Sequence, residues 1–235
     1  MKIGIIGLGL MGGSFSYGIK ELFPNSEIFG FDISNDNFKI ATELGIIDSK
    51  LNINNISNFK LILVSIPVDK SIDVLKIVLD NVSDKTLVMD VGSTKKNICS
   101  KLKNHPNRKN FLATHPISGT ENSGPNAAIK KLYFNITNII CEPELTSPDI
   151  LNFAYSLFSK FNMKIINMFG KTIFVAFLTI TINIQGQDDQ SVFEEVIVTA
   201  EKRSESLQGV SQAVTALTLS LIHISEPTRR RGISY

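Results

Sequence analysis

The segment from Thr114 to Gly124 places an imidazole, a carboxylate and several hydroxyls within a short stretch of chain. His115 supplies the imidazole and Glu121 the carboxylate. An imidazole suits proton transfer at neutral pH because its unperturbed pKa is about 6.5. These are residue types that a hydride-transfer site could use. Taken alone, a histidine before Pro116 is better explained as a strand-end residue whose ring is satisfied by backbone groups.

A glycine-rich turn follows the apolar residues at the start of the chain. In the spacing G-x-G-x-x-G, the first glycine permits a tight turn, the second leaves room for a pyrophosphate, and the third lets a helix pack close to the strand. The first turn of that helix would offer free N–H groups to the phosphates. The residues predicted to bind the dinucleotide phosphates are Gly7, Gly9, Leu10, Met11 and Gly12. The alternative is a turn of the same composition that binds nothing.

A carboxylate ends the second apolar segment. Asp32 closes the run Ser26–Asp32 and lies about 20 residues after Gly12, the separation expected for an acid that hydrogen-bonds the adenosine ribose. The next residues are Ile33 and Ser34, so no lysine or arginine follows at once. A carboxylate there repels a 2′-phosphate, and the sequence therefore favours NAD over NADP. Asp32 could instead cap a helix or close a turn, although Ser34 could also cap the next helix.

The rest of the first 168 residues alternates apolar strands with helical periodicity. Strands are predicted at residues 2–6, 26–32, 60–66, 86–91, 110–114, 132–141 and 163–168. Apolar residues recur at helical spacing over 68–82 and 150–161. Continuous apolar strands alternating with helices indicate an α/β fold with a doubly wound, mostly parallel, Rossmann-like sheet. Residues 1–168 are long enough for one complete dinucleotide-binding domain.

Polar residues follow several of these strands. Ligands of such a sheet bind outside the carboxyl ends of its strands, so these residues should lie near a bound dinucleotide. Ser65 and Pro67 end one strand, and we predict that both bind the cofactor. Residues Asp90–Lys95 end the next strand, and Thr114–Pro116 end the one after it. Each cluster thus falls at the edge where a nicotinamide ring could lie.

Five short motifs occur in the order GLGLMGGS (7–14), Asp32, SIPV (65–68), DVGSTK (90–95) and HPISGTENSG (115–124). Their combination resembles the prephenate dehydrogenase family, which includes the arogenate and cyclohexadienyl dehydrogenases. The resemblance covers about residues 1–168, the dinucleotide-binding domain of such enzymes. The last motif is the most specific, because the glycine turn alone would also suit hydroxyisobutyrate-type and phosphogluconate dehydrogenases.

The resemblance implies an NAD-dependent oxidative decarboxylation of prephenate, or of arogenate. From prephenate the product would be 4-hydroxyphenylpyruvate, a tyrosine precursor. His115 would accept a hydrogen bond from the C4 hydroxyl of the substrate and take its proton as hydride leaves. Ser93 would hold that hydroxyl or orient the histidine, and Glu121 would lie near the pocket mouth and control access. Without the resemblance, Ser93 could cap the next helix and Glu121 could be a solvated loop residue.

The net charge and the cysteine and histidine content of the chain limit the kinds of ligand and partner that it could bind. The formal net charge is +2 and no basic stripe appears, which argues against binding of nucleic acid. Cys99 and Cys141 are isolated and the three histidines are scattered, so we expect neither a metal site nor a disulfide. The chain enters a strand at once, so we expect no leading signal peptide, no membrane association and a cytoplasmic location.

The chain changes character after Met168. Asparagine occurs 19 times in residues 1–168 and once in residues 169–235, and a shift of this size marks a boundary. We therefore predict that residues 169–235 are an unrelated, poorly structured and non-native C-terminal extension. Residues 170–187 resemble a secretion signal, although their alternation also fits a strand. Residues 192–218 resemble the start of a TonB-dependent receptor plug, and residues 219–235 resemble translated adapter sequence.

The helical domain that follows the dinucleotide domain in this family is not recognisable in the extension. We expect a chimeric chain that does not form the family homodimer and whose turnover is impaired. Three alternatives stay open. The chain could be another NAD-dependent dehydrogenase of the hydroxyacid type, a non-catalytic envelope or receptor fragment, or a nucleotide-binding module without chemistry.

Overall fold

The computed structural model describes residues 1–169, which build an eight-stranded sheet. The strands are β1 (Lys2–Ile6), β2 (Glu27–Phe31), β3 (Ser49–Lys50), β4 (Leu61–Val64), β5 (Leu87–Asp90), β6 (Phe111–Pro116), β7 (Thr137–Cys141) and β8 (Lys164–Met168). Their order across the sheet is β3-β2-β1-β4-β5-β6-β7-β8. Every neighbouring pair is parallel except β6 and β7. The prediction of a mostly parallel sheet is confirmed.

Helices cover both faces of this sheet, and the central strands are apolar for that reason. The α-helices of the described residues are α1 (Leu10–Leu22), α2 (Asn35–Glu43), α3 (Val68–Asn81), α4 (Lys96–Leu102) and α5 (Pro148–Lys160). Side chains alternate between the two faces along each strand, so the sheet separates two cores. Leu61 and Leu63 of β4 pack in the core that includes α1 and α5, whereas Ile62 and Val64 pack with α3 and α4. The doubly wound arrangement is confirmed.

Three aromatic rings fix α1 against the chain that leads into β7. Phe15 of α1 lies edge-on to Tyr133, with 5.2 Å between ring centroids, and stacks on Phe161 at 5.7 Å. All three side chains are buried. Aromatic pairs at such distances add to the free energy gained by burial alone. The segment that follows the predicted histidine site is thereby anchored to the helix that follows the glycine turn.

The region around β7 differs from the sequence prediction. Residues 132–136 form a turn rather than the first half of a strand, and Asn135 there has a φ of 60°. Only Thr137–Cys141 joins the sheet, and it runs antiparallel to β6. The short strand β3 (Ser49–Lys50) was not predicted either, because two exposed polar residues carry no strand periodicity.

The extension predicted for residues 169–235 lies outside the described residues apart from Phe169. The signal-like segment 170–187, the receptor-like segment 192–218 and the adapter-like segment 219–235 therefore stay predictions from sequence. Across residues 1–169, no helix combines the length and the apolar character needed to cross a membrane.

Candidate functional site

The glycine turn between β1 and α1 has no room for side chains at two of its three glycines. Gly7 has a φ of +93°, and a Cβ there would lie 2.4 Å from the carbonyl oxygen of Ser65. A Cβ on Gly12 would lie 2.0 Å from the carbonyl oxygen of Gly7. Gly9 differs, because its Cβ would meet only the backbone nitrogen of Gly124, at 3.9 Å. The first and third glycines thus serve the turn and the packing of α1, and the second leaves open space.

The N-terminus of α1 carries no side-chain cap. Gly9 is the N-cap residue, and no side chain accepts a hydrogen bond from the first turn. Leu10 and Met11 form that turn, with Leu10 buried and Met11 half-buried. An uncapped helix N-terminus offers backbone N–H groups and a partial positive charge to an anion. Beside the open space at Gly9, these groups could hold a pyrophosphate.

Asp32 lies directly after β2 and is bonded to the turn. Its Oδ2 accepts a hydrogen bond from the N–H of Leu8 at 2.8 Å, and its Oδ1 accepts one from the N–H of Ser34 at 2.9 Å. The Ser34 hydroxyl caps α2 by accepting from the N–H of Asn37 at 3.2 Å. Asp32 is therefore not the cap of α2. Oδ1 also accepts from the side-chain amide of Asn37 at 3.3 Å, so Oδ2 is the oxygen that keeps a lone pair for a ribose hydroxyl.

Ser65 forms hydrogen bonds with the backbone of the glycine turn and the strand before it. Its Oγ donates towards the carbonyl oxygen of Gly7 at 2.7 Å and lies 3.1 Å from that of Ile6. A direct contact between Ser65 and a cofactor stays a prediction, since its hydroxyl is already engaged with the turn. Pro67 is exposed and stands at the N-cap of α3, at the same edge of the sheet.

His115 belongs to β6 at the carboxyl-end edge of the parallel strands. Phe111 and Ala113 of that strand face the α3 and α4 side, so the alternation places His115 on the same side. The ring is half-buried, and its Nδ1 is buried without a hydrogen-bond partner among the described residues. The ring forms no other hydrogen bond there, which leaves Nε2 as the nitrogen that a substrate can reach. Burial, together with the ammonium of Lys95, lowers the pKa of His115 to about 4.

A buried ion pair that sequence reasoning did not single out lies beside His115. Asp90 ends β5 and is 1% exposed, and its Oδ2 contacts the ammonium of Lys95, which is 7% exposed. The same oxygen accepts from the N–H of Gly92 at 3.1 Å, and the Asp90 carbonyl accepts from the Thr114 hydroxyl at 2.6 Å. Burial raises the pKa of Asp90, while Lys95 acts in the opposite direction. The pair thus ties the turn after β5 to the residue before His115.

Ser93 and Glu121 are both exposed. Neither forms a hydrogen bond with His115 within residues 1–169, so the structure does not bring these two predicted residues into contact with the ring. Ser93 is not a helix cap, because α4 has Lys95 at its N-cap position and no side-chain cap. Glu121 lies in an exposed stretch of the loop after β6, which fits the position of a residue at a site entrance.

That loop folds back over the glycine turn. The backbone nitrogen of Gly124 lies close to Gly9, and the N–H of Ile129 donates to the Ser14 hydroxyl in α1 at 2.8 Å. β6 is three strands from β1, which places His115 about 14 Å from the turn along the sheet edge. An extended dinucleotide can span such a separation. The described residues contain no cluster of His, Cys, Asp or Glu that could hold a metal ion.

Comparison with protein families agrees with this geometry. The model for the prephenate dehydrogenase nucleotide-binding domain matches residues 15–167, well over half of the chain. The chain belongs to the prephenate dehydrogenase family. The matched region begins in α1 and ends in β8, so it covers strands β2 to β8 and the helices between them. It also contains Asp32, the Asp90–Lys95 pair and His115.

Two prephenate dehydrogenases show how much of such an enzyme this chain represents. The protein of Lactococcus lactis subsp. cremoris is 33% identical over 162 residues, which are 67% of this chain and 45% of that protein. The protein of Bacillus subtilis is 29% identical over 168 residues, which are 70% of this chain and 45% of that protein. The chain therefore spans about half the length of these relatives.

Solved structures of the family share the fold. Prephenate dehydrogenase from A. aeolicus, in complex with hydroxyphenyl propionate and NAD+, superposes with a TM-score of 0.66 at 25% identity, covering 81% of this chain and 71% of that one. Synechocystis arogenate dehydrogenase has the same TM-score at 20% identity, covering 91% and 76%. At 20% identity, the likeness to the Synechocystis enzyme shows a shared fold alone.

Proposed function

We propose that this chain carries the NAD-binding and proton-accepting half of a prephenate dehydrogenase. The reaction is the oxidative decarboxylation of prephenate to 4-hydroxyphenylpyruvate, a step towards tyrosine. The observation that carries the proposal is the half-buried His115, whose Nε2 is open at the sheet edge that also bears the glycine turn. The A. aeolicus relative, solved with NAD+ and hydroxyphenyl propionate, supports the same pairing of ligands.

The turn and the end of β2 fit a dinucleotide. The uncapped N-terminus of α1 would hold the pyrophosphate next to Gly9, where a Cβ would meet nothing closer than 3.9 Å. Asp32 would accept a hydrogen bond from the adenosine ribose with the remaining lone pair of its Oδ2. A 2′-phosphate would place negative charge beside this carboxylate, so we infer a preference for NAD over NADP.

His115 would handle the proton of the reaction. The neutral ring accepts a hydrogen bond from the C4 hydroxyl at Nε2 and takes that proton as the C4–H bond breaks. Bound NAD supplies the acceptor for the departing hydride. The bond between C1 and its carboxylate would break to release carbon dioxide, its electron pair would complete the aromatic ring, and the resulting phenolate would take its proton back from His115. Because burial lowers the pKa of His115 to about 4, the ring is neutral at pH 7 and can accept a hydrogen bond from the hydroxyl.

Two further roles follow from position. Ser93 directly follows Gly92, whose N–H donates to the Asp90 carboxylate. From this turn, the Ser93 hydroxyl could reach a substrate bound at His115. Glu121 lies in the loop that returns over the glycine turn, where its exposed carboxylate could control entry. Leu10, Met11 and Pro67 would line the cofactor site through their places at the starts of α1 and α3.

The remaining inferences concern the chain as a whole. We infer that residues 1–168 are the dinucleotide-binding domain and that residues 169–235 are unrelated to it, since the family match ends at residue 167. A cytoplasmic location is consistent with the free thiols Cys99 and Cys141. Sequencing across the source locus with long reads tests the chimera, which a single uninterrupted native gene would contradict.

A direct test uses the purified full chain. NADH and NADPH are titrated by fluorescence, and NADH formation is then followed with NAD and either prephenate, arogenate or a 3-hydroxy acid. We expect NADH to bind more tightly than NADPH and a weak turnover that requires prephenate or arogenate. Turnover of the 3-hydroxy acid alone would instead indicate a hydroxyacid dehydrogenase, and failure to bind NADH would overturn the assignment of the glycine turn.

A further inference from the structure

Two buried polar atoms near the proposed base have no partner in the described part of the chain. One is Nδ1 of His115 and the other is Oδ1 of Asp90. Buried polar atoms are nearly always hydrogen-bonded, directly or through ordered water, because an unpaired one costs about 1–3 kcal/mol. Two such atoms of complementary type on neighbouring strands therefore need an explanation.

The topology places these atoms on the same face of the sheet. Asp90 is paired with Ala113 across β5 and β6, and His115 lies two residues further along β6. Ala113 and His115 share the α3 and α4 side, and so does Asp90, because its register partner Ala113 packs there. Diagonal neighbours on one face of a sheet lie about 7–8 Å apart, within reach of a shared polar contact. The two atoms form no direct hydrogen bond in the structure, and one bridging water can join polar atoms at such a separation.

We propose that Asp90 is a positioning residue for His115, with its Oδ1 accepting through one ordered water from the Nδ1–H of the ring. The inference rests on the proposed role of His115 as the proton acceptor. A ring that carries its proton at Nδ1 presents a lone pair at Nε2, which is the form a base needs there. Lys95 holds the carboxylate through the other oxygen, Oδ2, and leaves Oδ1 available to a water.

The surrounding groups favour this arrangement over a purely structural ion pair. Lys95 and the N–H of Gly92 both bind Oδ2, and no hydrogen bond within the described residues reaches Oδ1, although the backbone N–H of Thr114 lies near enough to favour the charged carboxylate. The Thr114 hydroxyl bonds the backbone of Asp90, which fixes the residue before His115 relative to that carboxylate. A water between the two strands would have Asp90 and His115 as partners, enough to hold it in place.

The tautomer of His115 tests the proposal without any need for turnover. Long-range ¹H–¹⁵N correlation spectra of the ¹⁵N-labelled full chain at pH 7 report which ring nitrogen carries the proton, and a His115→Asn variant assigns the signals. We expect a predominantly Nδ1–H ring in the wild type and a shift to predominantly Nε2–H in Asp90→Asn. The matched control is Asp80→Asn, which removes the carboxylate 3.3 Å from His105 and should leave the His115 signals unchanged.

Each outcome is decisive for the inference. An Nε2–H ring in the wild type would overturn it even if Asp90→Asn failed to fold, and so would an Nδ1–H ring that persists in a folded Asp90→Asn variant. Folding of the variant is checked by its NADH affinity, since Asp90 lies outside the glycine turn. The prephenate assay fails or succeeds independently of the tautomer, so the two proposals are separated.

Discussion

The carboxylate of Asp32 accepts a hydrogen bond from the backbone N–H of Leu8 at 2.8 Å, and this bond joins the end of β2 to the glycine turn. One side chain therefore both shapes the turn and stands where a ribose would bind. The turn and a bound dinucleotide would thus depend on the same half-buried carboxylate, so its removal should affect binding through both.

We expect Asp32→Asn to weaken NADH binding about tenfold. The substitution removes a charged acceptor, which is worth about 1.5–3 kcal/mol when fully engaged, and tenfold corresponds to about 1.4 kcal/mol. Binding of NADPH should weaken less, because repulsion of the 2′-phosphate is lost as well. Fluorescence titration measures both dissociation constants. Asp36→Asn, an exposed acid in the first turn of α2, is the control and should leave both nearly unchanged.

Two glycine-to-alanine variants should separate folding from binding. In Gly12→Ala the new Cβ would lie 2.0 Å from the Gly7 carbonyl oxygen and 2.5 Å from the Ser65 hydroxyl, so we expect a loss of about 1–3 kcal/mol in unfolding free energy. Gly9→Ala should leave the melting temperature unchanged but weaken NADH binding, because its Cβ enters the space left for the pyrophosphate. Equal melting temperatures for the two variants would contradict this division of roles.

Replacing the proposed base should abolish turnover and spare cofactor affinity. We expect His115→Asn to reduce prephenate-dependent NADH formation by about 10²–10⁴-fold, the contribution typical of general base catalysis. The NADH dissociation constant should stay within twofold of wild type, since the ring is about 14 Å from the turn. Retained turnover in this variant would show that another group accepts the proton.

The lowered pKa of His115 also predicts how stability depends on pH. The ring titrates at about 4 in the folded protein and near 6.5 when unfolded, so the unfolded chain binds more protons between these values. His115 therefore contributes a fall in unfolding free energy as the pH drops from about 6.5 to about 4. Urea unfolding at pH 4.5 and pH 7 measures this difference, and it should be smaller in His115→Asn than in the wild type.

Lys95, a member of the buried ion pair, should contribute more to the unfolding free energy than Lys96, the next residue in the chain. Lys95→Met leaves the Asp90 carboxylate buried without its cation, and we expect a loss of about 3–5 kcal/mol in unfolding free energy. Lys96→Met alters an exposed residue one position later and should stay within about 0.5 kcal/mol of wild type. Similar unfolding curves for both variants would show that the contact between Lys95 and Asp90 contributes little.

The centre of the sheet could be predicted from sequence because its strands are apolar on both faces. β1, β4 and β5 stand out as short apolar runs, and Gly7 and Asp32 mark the strand ends that matter for a dinucleotide. The reversal at β7 could not be predicted, since the pattern of a single strand carries no information about its direction. Residues 132–136 also have strand-like composition, and the contact of Tyr133 with Phe15 holds them in a turn instead.

The candidate site was predicted in part. His115 and the glycine turn do lie at the same sheet edge, but the bond from Ser65 to Gly7 shows that a residue at a strand end can serve the turn itself. The pairing of Asp90 with Lys95 was not predicted. Both residues stand in the DVGSTK motif, and their separation of five positions looks like that of unrelated loop charges. Only the burial of both side chains reveals them as partners.

Side chains alternate between the two faces of the sheet along β6, and this alternation decides which face carries His115. Phe111, Ala113 and His115 point to one side of the sheet and Leu112 to the other, so parity decides which helices the imidazole meets. Deleting or inserting one residue between Phe111 and His115 would turn the ring to the side of α1 and α5, away from Asp90. Variation in length within this strand is thus far more damaging than exchange of one apolar residue for another.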